Sequence, residues 1–471
     1  MMLSRHVQQV WADEIVPELC AYIAIPCVSS DFDPDWKAHG HIDQAVEQIR
    51  SWCAKRAIVG LTVEVMELPG LSPLVVAEVP AFGGGRADLN NNDTVVLYGH
   101  LDKQPEMTGW RDGLGPWTPV IEGDRLYGRG GADDGYAAFA SLLAIEAAQL
   151  AGLSHTRLIV LIEASEESGS PDLPTYLTAL RERIGSPTLV LCLDSGCIDY
   201  ERLWVTTSLR GLVGGVLRVD VLEEGVHSGE ASGVVPSSFR IARQLLERLE
   251  DSTTGRLQLP ELYAEIPADR LAQAVDTAAE FPIESHYPWA DGTRPMSDDP
   301  TQQLLGRTWM PTLSVTGADG LPPTGRAGNV LRPYTALALS LRVPPTVDAE
   351  RALAAVSACL TADPPNGATV QFLRPDAANG WNAPEFAPWL QSALDHASSD
   401  VFGNPTMAFG EGGSIPFMAM LGEMFPAAQF VITGVLGPGS NAHGPNEFIH
   451  LPTATRLTEC LARVLHAHAT R

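Results

Sequence analysis

A histidine and an aspartate two residues apart, His100 and Asp102, follow a run of β-branched and apolar residues from Thr94 to Tyr98. Such a run reads as a buried strand, and ligands bind at the carboxyl ends of strands in open α/β sheets. His100 could hold a metal ion there, with Asp102 receiving the other ring N–H and fixing the tautomer. Alone the pair is short, and a satisfied surface histidine explains it as well. Four more segments carry chemistry at comparable places. In the stretch 128–135, Asp133 and Asp134 follow a string of glycines just before an alanine-rich helix. A helix cap accounts for one aspartate; the doubled carboxylate among glycines suits a cation. Glu166 and Glu167 come just after a strand ending at Glu163. A solvated loop would explain them, and so would a division of work between a ligand and a general base. Asp194 closes another buried strand, and His443 lies in a glycine-rich loop after the strand 429–435.

His100, Asp133, Glu167, Asp194 and His443 can therefore converge on one edge of one sheet. Two histidines and three carboxylates without a cysteine fit a pair of borderline divalent ions such as zinc. A carboxylate bridging both, with a shared water, would make a hydrolytic site.

The elements that must position these residues follow from the pattern. Helices are expected over 6–23, 42–57, 136–151 and 174–184, alternating with strands at 61–66, 74–79, 94–98, 156–163 and 188–194. That alternation predicts a doubly wound, mostly parallel sheet. From residue 204 it changes to strand, helix, strand, strand, helix, strand, the split βαβ arrangement of a small α+β unit. The α/β pattern returns with a helix at 383–397, a strand at 429–435 and a closing helix at 453–468. The expected organisation is an α/β domain formed by 1–208 and 381–471, interrupted by an inserted α+β domain at 209–380. Residues 251–310, rich in proline and acids, fit neither pattern.

Bulk properties exclude several classes. A net charge of −26 argues against nucleic acid or an anionic membrane as partner. No apolar run is long enough to cross a bilayer, and the mixed N-terminus lacks the core of a signal peptide. A cytoplasmic location is the expectation. The seven cysteines are scattered without a CxxC pair, which predicts reduced thiols.

The segments around His100-Leu101-Asp102, GRGGADD, EASEESGS, LCLDSG and NAHGPNE resemble the M20 family of dinuclear zinc peptidases, nearest its nonspecific and carnosine-type dipeptidase branch. The resemblance covers essentially the whole chain, with the insert as a lid and dimerisation domain. It implies two divalent ions per subunit, zinc first and manganese or cobalt as alternatives. His100, Asp133 and Asp194 would hold one; Asp133, Glu167 and His443 the other. Glu166 would be the general base, Asp102 the partner of His100, and Asp133–Asp134 a cis peptide. His227, in the insert, would reach the site of a second subunit and steady the oxyanion, implying a homodimer. Arg342 would clamp the substrate carboxylate, and Asn329, Gly412, Gly413 and Ser414 would add polar contacts. As bare sequence, His227 reads as a loop histidine and Arg342 as a solvated edge charge. The family branch carries a lysine where this chain has Gly135-Tyr136 after the paired aspartates. The implied activity is hydrolysis of dipeptides or similar small peptides. The alternative is an N-acyl-amino-acid deacylase of the same family.

Overall fold

The computed structural model describes residues 2–83, 93–413 and 416–471. They divide into two compact units: 1–207 with 383–409 and 420–471, and 208–382 with 410–419. Residues 410–419, expected in the returning α/β part, group with the second unit. There Arg210 binds them, its backbone N–H donating to the Gly413 carbonyl at 3.1 Å and its Nε to the Gly412 carbonyl at 3.1 Å.

In the first unit the strands lie in the order 62–66, 74–79, 157–163, 94–100, 187–192, 429–432, 204–209. The four from Arg157–Glu163 to Gln429–Ile432 are mutually parallel, and the flanking pairings are antiparallel. All seven residues of Thr94–His100 are buried. A parallel strand covered on both faces needs such an unbroken apolar run. The helix Ala137–Leu150 is buried along all but its last residue, and its alanines let it lie close to the sheet. Contact is close at Gly99, where a Cβ would stand 2.4 Å from the Ala137 Cβ and 2.7 Å from Asp134 Oδ2. Glycine at this point lets the loop 128–135 reach the strand that carries His100. Among the described residues no helix is long and apolar enough to cross a membrane.

The helix expected at 383–397 instead runs from Pro388 to Phe402. Proline suits the first helical turn, and the preceding residues pair with strand 204–209, the Ala383 N–H donating to the Thr207 carbonyl at 2.9 Å.

The second unit is a four-stranded antiparallel sheet in the order 312–319, 334–343, 211–220, 369–378. Helices Ser238–Leu246 and Ala349–Thr361 share its apolar core through Ile241, Leu245, Val356 and Leu360. The stretch 251–310 holds two helices of its own, Ala268–Glu280 and Pro300–Thr308.

Candidate metal centre

Parallel register sets the site. His100 stands beside Glu163 on the neighbouring strand, and Tyr98 beside Cys192 on the other side. The chain leaving these strands therefore delivers His100, Glu166 with Glu167, and Asp194 to one edge. The loop with His443 arrives by another device. Strand Phe448–His450 pairs with Arg125–Tyr127, so the chain before it runs alongside the loop 128–135. A buried ion pair locks the two loops together: Arg129 donates through Nη1 to the Glu447 carboxylate and through Nη2 to the Gly444 carbonyl at 2.9 Å. Glu447 also accepts the Gly130 N–H at 2.9 Å. Burial pushes the Glu447 carboxyl up to about 8, against the pull of Arg129. Sequence reasoning passed over both residues. The signal was there, since Arg129 and Glu447 lie inside two of the segments that carry the family resemblance.

Two candidate ligand groups result. Donor atoms of His100, Asp133 and Asp194 lie within 4.8 Å of one another, as do those of Asp133, Glu167 and His443. Asp133 belongs to both, and its two oxygens face different histidines. Oδ1 is 3.4 Å from His100 Nε2, and Oδ2 is 3.0 Å from His443 Nε2. Asp194 Oδ2 lies 3.8 Å from His100 Nε2, and Glu167 Oε2 3.2 Å from His443 Nε2. Glu166 belongs to neither group, with Oε2 4.0 Å from His100 Nε2. The Asp133–Asp134 peptide is cis.

The donor set fits divalent cations. His100 Nε2 is buried without a hydrogen-bond partner, an arrangement that costs free energy unless something fills it. It points among carboxylates whose mutual repulsion a cation would relieve. Burial, then Asp194, pushes the Glu166 carboxyl well above its usual range, against His100. Burial, then Asp133, raises Glu167. Burial also works on Asp133, yet His100 and His443 outweigh it and hold that carboxyl below its usual range. The burial of His100 opposes its protonation, but Asp102 and Asp133 carry it well above the normal histidine range. His443 behaves alike, raised to about 11 by Asp133 and Glu167 despite its burial.

A histidine binds metal through a neutral ring, so metal uptake at His443 would displace the proton that this ring holds below about pH 11. Apparent metal affinity should therefore rise with pH, by about tenfold per unit for each proton displaced. Calorimetric titration of the stripped protein in buffers of differing ionisation enthalpy measures this directly. An affinity indifferent to pH between about 6 and about 8, with no proton release, would refute it.

Asp102 does more than expected, and by a different route. The nearest acceptor to His100 Nδ1 is the Asp102 backbone carbonyl at 3.1 Å, with the carboxylate 3.5 Å away. The carboxylate instead accepts the Glu166 N–H at 3.1 Å and the Glu167 N–H at 3.0 Å. One aspartate thus orients the histidine through its backbone and the paired glutamates through its side chain.

The remaining expected residues lie in the second unit. His227 is exposed; its Nδ1 accepts the Gly229 N–H at 3.1 Å, and its strand pairs with Val330. The Asn329 carbonyl accepts the Ser228 N–H at 2.9 Å. Arg342 is half-buried on strand Tyr334–Val343, opposite Thr312, and not the solvated edge charge that bare sequence suggests. Gly412 and Gly413 are held by Arg210, and Ser414 lies outside the described residues.

The chain matches the model of Peptidase family M20/M25/M40 over residues 96–467. It belongs to that family. Among relatives of this family member, cysteinylglycine-S-conjugate dipeptidase of Corynebacterium striatum is 27% identical over 379 residues, covering 78% of this chain and 79% of the relative. Cys-Gly metallodipeptidase DUG1 of Saccharomyces cerevisiae is 24% identical over 444 residues, covering 90% and 89%. Among solved structures, the yeast dipeptidase Dug1p superposes with a TM-score of 0.77 at 21% identity, over 100% of this chain and 98% of that one. Human carnosine dipeptidase 1 gives 0.75 at 20%, over 100% and 99%. At these identities the structural likeness speaks for the fold.

Proposed function

We propose that this chain is a dinuclear metallodipeptidase, with His100, Asp133 and Asp194 holding one divalent ion and Asp133, Glu167 and His443 the other. The observation that carries it is Asp133, shared by both ligand groups with each oxygen turned to a different histidine. Zinc suits the nitrogen and oxygen donors. When bound, the ions supply Lewis acidity toward the scissile carbonyl and lower the pKa of the attacking water. Glu166, beside but outside the ligand groups, takes that water's proton and returns it to the leaving amine. Asp102 keeps Glu166 and Glu167 in place through their backbone N–H groups. Arg342 receives the substrate carboxylate with its planar fork, and Asn329 and Gly413 line the peptide's path. The relatives named as dipeptidases support the substrate size.

His227, exposed on the second unit, donates to the developing oxyanion of a partner subunit in a homodimer. Full activity from a species that light scattering shows to be a monomer would contradict this role.

The test of the activity is a panel of dipeptides assayed before and after chelation. Cleavage lost on chelation and restored by added zinc is expected. Hydrolysis of N-acetyl or N-succinyl amino acids with no dipeptide cleaved would overturn it.

A further inference from the structure

The stretch 251–310, which no sequence pattern explained, walls a cavity of about 730 Å³ in the second unit. That is the size of a small-molecule site. Its lining includes Tyr263, Ile283, Tyr287, Trp289, Met296 and Met310. Tyr287 and Trp289 meet edge to face, ring centroids 5.7 Å apart, yet remain 45% and 44% exposed. The indole is held there, because Trp289 Nε1 donates to the Glu284 carbonyl at 2.7 Å. Fixed, exposed aromatic faces on a concave wall are what an apolar ligand needs.

One wall is cationic. Arg307, in the last turn of helix Pro300–Thr308, lines the cavity. Arg210 is its neighbour, since a Cβ on Gly412 would lie 3.2 Å from both Arg210 Nη2 and Arg307 Cγ. Arg210 Nη1 also donates to Thr312 Oγ1 at 3.2 Å, and Thr312 both lines the cavity and stands opposite Arg342 in the sheet. Burial and repulsion from Arg342 and Arg307 lower the Arg210 guanidinium to about 10. Glu284, the one acid on the wall among the described residues, is engaged by Gln303 Nε2 at 2.9 Å.

We propose that this cavity binds a small carboxylate bearing a large apolar or aromatic group, with the group against Tyr287 and Trp289 and the carboxylate toward Arg307. The source that the cavity favours is a free aromatic acid, whose one carboxylate meets Arg307, since a peptide's C-terminal carboxylate is the one given to Arg342. The C-terminal residue of a peptide is the other source of the same chemistry.

Gly306 allows a clean test. It lines the cavity, and nothing lies within 4 Å of where its Cβ would stand. Gly306→Phe fills the space and should not weaken the helix, since phenylalanine favours helix more than glycine does. The probes are 3-phenylpropionate, its uncharged amide, and propionate, titrated calorimetrically into the full chain. Binding of 3-phenylpropionate is expected, with the amide and propionate at least about tenfold weaker. Gly306→Phe and Trp289→Ala should each weaken it by a similar factor. No binding, equal binding of all three probes, or binding unmoved by Gly306→Phe would overturn the proposal.

Kinetics then separate the two sources. A KM that rises in Gly306→Phe for Gly-Phe but not for Gly-Gly, at unchanged kcat, assigns the cavity to the peptide's C-terminal residue. Lost calorimetric binding with both KM values unchanged assigns it to a free acid. The titration needs no turnover, so failure to cleave dipeptides would sink the activity and leave the cavity tested on its own terms.

Discussion

Replacing Glu166 with glutamine should lower peptide turnover by at least about a hundredfold while leaving bound metal unchanged. Glu166 belongs to neither ligand group, yet its carboxylate lies 4.0 Å from His100 Nε2. As an acidic group beside the centre and outside both groups, it could move a proton without surrendering an ion. Burial and the charge of Asp194 already raise its affinity for protons. A base poised in that direction accepts a proton more readily than an ordinary surface carboxylate. Glutamine keeps the shape and the backbone N–H bond to Asp102, so a loss of rate reports proton transfer and little else. Turnover that survives would remove Glu166 from the chemistry. Metal lost along with turnover would make it a ligand instead.

The second large effect falls on Asp133. Asp133→Asn should cost metal at both positions and lower activity by more than the about 10–100-fold typical of residues that only orient ligands. The amide retains one oxygen, so it can serve at most one of the two groups that Asp133 now joins. His100 and His443 would also lose the carboxylate that faces each of them. Asp194→Asn is the comparison, since Asp194 enters one group alone. Metal analysis should show that variant keeping more metal than Asp133→Asn. If both lose the same amount and Asp133→Asn still holds two ions, the shared ligand is misassigned.

How much of this was legible in the chain depends on the range of the interaction. The strand Thr94–His100 announced itself, because a strand buried on both faces must be continuously apolar, and its register then fixes where His100 and Glu166 come out. The candidate ligand residues stood out because each ends or follows a strand or sits in a glycine-rich loop. The clamp between Arg129 and Glu447 was not, although both lie inside conspicuous segments. A buried ion pair joining residues 318 positions apart leaves no local period or spacing in the sequence. The role of Asp102 was half read. That it serves His100 follows from proximity in sequence, whereas its hold on Glu166 and Glu167 depends on a turn brought in by the neighbouring strand. The cavity in 251–310 was hidden for another reason. Its helices are short and amphipathic, and its aromatic and methionine residues are spread over prolines and turns, so they gather only when the chain folds.

The measurement that bears most directly on the central claim is anomalous diffraction at the zinc edge from crystals of the zinc-loaded protein. Two peaks are predicted, one on each side of the Asp133 carboxylate. The first lies among His100, Asp133 and Asp194; the second among Asp133, Glu167 and His443. A single peak, or none at Asp133, would contradict the dinuclear reading.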